Sequence, residues 1–293
     1  MYNTSCEEKN LLKLYLPEII YYPYIDAFYT HPQEAVVLDD KNNYDLYFPN
    51  VKKPKTIVRK IQGQFLNSDY QIMTVDEALQ LMIDQQKLVC KESVSSQGGK
   101  GVRFFDIISD SNKTELIEWL KKRDNVIVQE VISQHPELSR LHKDSINTVR
   151  VMTLTHDTEV EVVSCVLRMG IGGSKVDNAS SGGIVCGINT DGRLKNEAWD
   201  VHINHYDKHP QGTSFDSVIV PSFEQCKTLA CQLAPKLISV SRLISWDFAV
   251  SETGEPVLIE ANLTFGELDF HQMCNGPLFG DKTEEILKEV FSK

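Results

Sequence analysis

The sequence predicts an α+β protein. Two observations carry that reading. Residues 87–130 run through strand and helix signals in a β-loop-β-α-β order, and residues 148–261 are rich in β-branched strands separated by turns.

Residues 1–50 are aromatic and irregular, with helical hints around Glu7–Leu16, and they close on Lys41-Asn42-Asn43-Tyr44-Asp45. The basic stretch Val51-Lys52-Lys53-Pro54-Lys55 reads as a linker into a strand over Thr56–Lys60. Thr74 is a helix cap, and Ala78, Leu79, Leu81 and Met82 supply apolar positions for a helix over Thr74–Gln86. A strand over Lys87–Lys91, a Gly/Ser loop, a strand over Val102–Ile107, a helix over Lys113–Lys121 and a strand over Asn125–Glu130 complete a small unit.

In the second half, Thr148–His156, Glu159–Met169 and Gly183–Ile188 predict an antiparallel sheet. A helix over Ser222–Ile238 then leads to a hairpin of Trp246–Val250 and Pro256–Ala261, and Thr283–Phe291 reads as a closing helix. The expected division is an N-terminal segment (residues 1–50), a small subdomain (51–133) and a large one (134–293).

Composition narrows the function. A net charge of −11 makes nucleic acid a poor partner. Seven cysteines are scattered, odd in number and without a CxxC pair, so they read as buried thiols in a reducing compartment. The apolar stretch Leu11–Tyr29 contains Lys13, Glu18, Asp26 and two prolines, and so reads neither as a membrane span nor as a signal sequence. The expectation is a cytoplasmic protein.

Two motifs carry chemistry. Strand side chains alternate faces, so Asp247 points away from Trp246, Phe248 and Val250, while Glu260 and Asn262 share a face. A hairpin can bring these three oxygen donors together, and hard Mg2+ prefers such ligands. Standing alone, both carboxylates would read as ordinary solvent-facing residues. The second motif is Lys91 at a strand end followed by the loop Ser93–Gly101, where Gly98 and Gly99 let backbone N–H groups approach phosphate. It is no Walker A loop, because Gly101 follows Lys100 and the loop feeds a strand; nor is it kinase-like, because Lys91 precedes the glycines.

These motifs, in this order, resemble the ATP-grasp superfamily from about Lys41 to Asn262. More narrowly, His135-Pro136-Glu137-Leu138, Asn147-Thr148-Val149-Arg150, Asp177-Asn178 and Trp246-Asp247 resemble the sugar-transfer-associated ATP-grasp family, related to alpha-L-glutamate ligases. The resemblance implies two α+β subdomains clamping ATP between antiparallel sheets. It implies nucleotide contacts from Lys41, Lys91, Ser95, Gly98, Gly99, the hinge Gln129-Glu130-Val131 and Glu137, with magnesium, or manganese in its place, on Asp247, Glu260 and Asn262. Arg150, Arg168 and Asn178 would orient the reacting groups. His135, beside Pro136, reads as structural. The region before Lys41 is too short for the α/β domain that usually precedes this fold.

The implied reaction is carboxylate–amine ligation through an acyl phosphate, on a small-molecule carboxylate and an amine or sugar-linked substrate, and the resemblance points to surface-polysaccharide assembly as its setting. A phosphotransferase on the same fold and a non-catalytic nucleotide sensor stay open as alternatives, and so does the oligomeric state.

Overall fold

The structure, a computed structural model, describes residues 10–94 and 101–292. Ser95, Gly98 and Gly99 of the expected phosphate loop lie outside the described residues. Contacts divide the described residues into two units, one of residues 36–94, 101–133 and 257–259, the other of residues 10–35, 134–256 and 260–292.

The small unit is a six-stranded antiparallel sheet with the order β3-β2-β1-β6-β4-β5. Its elements are β1 (Thr56–Ile61), β2 (Gln64–Leu66), β3 (Ile72–Met73), α1 (Val75–Ile83), β4 (Leu88–Glu92), β5 (Arg103–Phe105), α2 (Asp110–Lys121) and β6 (Val126–Glu130). Thr74 caps α1 as its sequence predicts: its hydroxyl accepts from the Glu77 amide at 3.3 Å, and Glu77 accepts from the Thr74 amide at 2.8 Å. Ala78, Leu79 and Met82 of α1 and Leu116, Trp119 and Leu120 of α2 pack into one core with Val58, Leu88, Cys90, Val126 and Val128.

The large unit carries most of a seven-stranded sheet, β11-β10-β9-β8-β7-β12-β13, in whose last strand residues 257–259 count with the small unit. Its strands are β7 (Thr148–His156), β8 (Glu159–Met169), β9 (Ile184–Ile188), β10 (Leu194–Trp199), β11 (His205–Tyr206), β12 (Leu243–Val250) and β13 (Pro256–Asn262). The helices are α3 (Phe223–Leu233), α4 (Leu268–Asn275) and α5 (Thr283–Phe291). The helix expected to run to Ile238 gives way after Leu233 to a 3-10 turn over Ala234–Leu237, where Pro235 lacks the N–H an α-helix needs.

Residues 10–35 belong to the large unit and are not a separate segment. Tyr21, Ile25 and Tyr29 bury themselves against Met152, Leu154, Leu243 and Ile286, so this stretch is part of the large core. The boundary expected at residue 50 falls instead after Ala35.

Of the six described cysteines five are buried, and all six are unpaired; burial pushes the Cys90 thiol up to about 12. Among the described residues, no helix is long and apolar enough to cross a membrane.

Candidate active site

Four adjacent strands of the large unit, β8-β7-β12-β13, present a row of charge. Arg150 on β7 stands directly opposite Asp247 on β12, and Arg168 on β8 is diagonal to Arg150, whose own partner there is Val166. Period-two alternation keeps the bulky Trp246, Phe248 and Val250 on the other face, where all three are buried.

The pairing is dense. Arg150 Nε and Nη2 donate to Asp247 Oδ1 and Oδ2, each at 2.7 Å, the fork-on-carboxylate arrangement that guanidinium geometry favours. Arg168 Nη1 donates to Asp247 Oδ2 at 3.1 Å, and Asn262 Nδ2 donates to the same oxygen at 3.3 Å. Both arginines and Asp247 are under 5% exposed. Burial pushes the Asp247 carboxyl up, but Arg150 and Arg168 outweigh it and hold the group below the usual carboxylate range. Burial likewise pulls Arg150 down, and Asp247 and Glu267 more than offset it.

The predicted metal ligands are thereby placed. Glu260 and Asn262 share a face of β13, and Glu260 lies close enough for its charge to act on Arg150. Asn262 donates its Nδ2 to Asp247 Oδ2 and to the Ser245 carbonyl, each at 3.3 Å. Asp247 has a second employment that spacing alone did not indicate: it is the counter-ion of both arginines. Its Oδ2 takes three donors, whereas Oδ1 takes one and keeps a lone pair. Two carboxylates and an amide are the oxygen-donor types a hard cation takes.

Arg168 is incompletely satisfied. Its Nε and Nη2 are buried without a hydrogen-bond acceptor among the described residues, which is costly unless an anion or water meets them. Glu267, absent from the sequence reading, lies 2.5 Å from Arg150 Nη1 and 3.9 Å from Arg168 Nε. It is an ion-pair partner without hydrogen-bonding angles, since its Oε2 lacks a hydrogen-bond donor. Below the row, fully buried His271 on α4 sits 2.8 Å from the Ser164 hydroxyl, pushed down to about 3 by burial and by Arg150, and so neutral.

Asn178 begins the turn before β9, its carbonyl accepting from the amides of Ser181 and Gly183. Its neighbour Asp177 is buried and accepts from the Thr148 amide at 3.0 Å and from the Thr148 hydroxyl. Glu137, on the short helix Pro136–Ser139, pairs with Arg140 at 2.6 Å. His135 caps that helix, its Nδ1 accepting from the Glu137 amide at 3.2 Å, which is a structural employment.

In the small unit, Lys41, Thr56 and Gln129 line a recess with Leu258 and Ile259. Gln129 is opposite Thr56 in the β1–β6 ladder and donates to the Pro54 carbonyl at 3.3 Å. Glu130 and Lys55 exchange backbone contacts at the strand end, the Glu130 amide donating to the Lys55 carbonyl at 3.0 Å, and Val131 follows half-buried. The Lys41 amide donates to the Ser93 carbonyl at 2.9 Å, tying that segment to the first residues after β4, the strand that carries Lys91.

Comparison with known proteins agrees with this architecture. The family model described as sugar-transfer associated ATP-grasp matches residues 23–288, and the chain belongs to that family. No curated protein matches it. Among solved structures, it resembles the D-cycloserine synthetase DcsG (TM-score 0.53, 12% identity, 88% of this chain and 71% of that one). It also resembles D-alanyl-alanine synthetase A from Vibrio cholerae (TM-score 0.52, 11% identity, 90% and 66%). A third likeness is to the biotin carboxylase domain of the Hydrogenobacter thermophilus 2-oxoglutarate carboxylase, in complex with MgADP, ADP and bicarbonate (TM-score 0.54, 14% identity, 90% and 48%). The chain thus spans between about half and seven-tenths of these proteins, and at such identities the likeness establishes the ATP-grasp fold.

Proposed function

We propose that the chain is an ATP- and magnesium-dependent carboxylate–amine ligase. The observation that carries the reading is the charged row Arg168–Arg150–Asp247 with Glu260 and Asn262 on the adjoining strand. Lys41, Lys91 and the glycine loop are the groups to hold the triphosphate, with the hinge Gln129-Glu130-Val131 for the base and Glu137 for the ribose. Asp247, Glu260 and Asn262 are the ligands to hold magnesium, which when bound offsets charge on phosphate oxygens.

The chain's own residues do the rest by positioning and electrostatics. Arg168, with two buried N–H groups to spare, receives an oxyanion, either the substrate carboxylate or the transferring phosphoryl group. Arg150, fixed by two bonds to Asp247, keeps the neighbouring charge in place. Asn178 supports the same face. The substrate carboxylate attacks the γ-phosphorus and ADP leaves. An amine then attacks the carbonyl carbon of the acyl phosphate, phosphate departs, and the amine's extra proton passes to solvent. A role in assembling sugar-linked surface material in the cytoplasm follows the family description alone.

Incubation with ATP, magnesium and pooled carboxylates and amines should release ADP and free phosphate together. Phosphate retained stably on a substrate would make the protein a phosphotransferase instead. Glu260→Gln should abolish ADP formation while the protein stays folded, because the substitution is isosteric and the side chain is only half-buried. Unaltered magnesium-dependent turnover in that variant would remove Glu260 from the metal set.

A further inference from the structure

The turn that follows β13 is strained. Phe265 and Glu267 both adopt left-handed backbone conformations, at φ 57° and 63°, which side-chain-bearing residues avoid at a cost of order 1 kcal/mol each. Gly266 between them has no room for a side chain: a Cβ there would lie 2.6 Å from Ser245 Oγ and 2.9 Å from Met152 Cε. Strain of this kind persists only where surrounding groups over-determine the geometry.

The groups that do so come from the N-terminal segment. Asp26 Oδ2 accepts from the Phe265 amide at 3.2 Å, and the Tyr22 hydroxyl oxygen accepts from the Leu268 amide at 3.3 Å. These two bonds bracket Gly266 and Glu267. The Tyr22 ring also packs on the Phe265 ring, centroids 5.4 Å apart. Tyr22 and Asp26 both lie in Tyr21–Asp26, wound as a π-helix, a rare form frequent at functional sites. Tyr21 and Ile25 of the same turn are fully buried and anchor it in the core.

We propose that Tyr22 and Asp26 are positioning residues, a strap that holds the Phe265-Gly266-Glu267 turn so that Glu267 stays paired with Arg150. The inference adds a task for the N-terminal segment to the ligase reading, but its test needs no substrate and fails or succeeds separately from that reading. Without the strap the turn relaxes toward ordinary backbone angles, Glu267 swings off Arg150, and the guanidinium that faces Asp247 loses its second counter-charge.

The full chain, labelled with 15N in arginine and at backbone amides, reads this directly. Asp26→Ala should speed hydrogen exchange at the Phe265 amide about tenfold, the scale of one charged hydrogen bond. It should also move the Arg150 guanidinium signals to the positions they take in Glu267→Gln. Asp26→Asn keeps an acceptor oxygen and should restore both. Tyr22→Phe removes a single oxygen and leaves the ring stack, so it tests the strap even if Asp26→Ala does not fold; it should speed exchange at the Leu268 amide, which loses its acceptor, and move the Arg150 signals in the same direction by a smaller amount. Faster exchange at Phe265 with Arg150 signals unmoved would reduce the strap to a structural contact and overturn the proposal. Exchange and Arg150 signals both as in wild type, in Asp26→Ala and Tyr22→Phe alike, would overturn it outright.

Discussion

Both units hold cations, and the balance of their partners differs: backbone carbonyls predominate in the small unit, where Asp45 pairs with both Arg59 and Lys53, and carboxylates predominate in the large one. In the small unit, Lys60 donates to the carbonyls of Leu120 (2.9 Å) and Arg123 (2.6 Å), and Lys53 to those of Phe48 and Val51. Arg59 donates to the Asn42 carbonyl at 2.8 Å and to Asp45. In the large unit, Arg150 and Arg168 face the carboxylates of Asp247 and Glu267. Backbone carbonyls are neutral, fixed and already part of a turn or helix end, so a cation held by them is a structural lock. A carboxylate on a side chain can yield to another oxyanion of similar geometry. Only the second arrangement leaves the cation able to exchange partners, and Arg168 has donors spare to do it.

The sharpest way to break this contrast is Asp247→Ala, which leaves two arginines buried without their shared counter-ion. We expect a loss of roughly 3–5 kcal/mol in urea unfolding, the cost of stripping one partner from a buried ion pair. A loss under 1 kcal/mol would mean that other groups hold the arginines. The same pairing gives a pH dependence: the folded Asp247 carboxyl sits below its ordinary range, so its stabilisation is present at neutral pH and disappears as pH falls through that depressed value.

Asp26 provides the opposite sign in the same unit. Burial raises its carboxyl to about 6, only partly countered by the Phe265 amide. Its protonated form favours the fold, so that contribution is complete below the unfolded value of 3.8 and is lost as pH rises through about 6. The span is at most about 3 kcal/mol. Asp26→Asn should flatten this part of the stability profile and exceed wild type above pH 6; parallel profiles would contradict it.

Lys60→Met tests the carbonyl-held kind. It strands two carbonyls, and a loss of about 1–3 kcal/mol is expected with ATP turnover per folded molecule unchanged. Reduced turnover would erase the distinction drawn between the units. The smallest effect belongs to Lys91→Ala, which should weaken ATP binding by about tenfold in calorimetry, near 1.4 kcal/mol for one phosphate contact; equal affinity would take Lys91 out of the nucleotide set.

How much of this was readable in advance depended on range. Local signals read well. The alternation of Trp246, Asp247 and Phe248 fixed which face Asp247 takes, the Thr74 cap located the start of α1, and the β-branched runs gave β7 and β8 with the bounds the structure has. What escaped was set by distance or by absent periodicity. Arg150 and Asp247 are 97 residues apart, and no pattern in either strand announces their register. Glu267 sits in a left-handed turn, where no period of two or 3.6 applies. The π-helical turn at Tyr21–Asp26 contains Pro23, which argues against any helix. The short strands β10 and β11 and helix α4 went unpredicted because their segments are polar or brief.

The direct opposition of Arg150 and Asp247 has a bearing on how the protein folds correctly. If β12 slid by one residue against β7, Arg150 would meet Trp246 or Phe248, and a guanidinium would be entombed beside an indole or a phenyl ring. Long β-branched strands are otherwise permissive about alignment, since one apolar neighbour resembles the next. The arginine and the aspartate act as a key and its ward, admitting a single alignment of these two neighbouring strands and penalising every near miss.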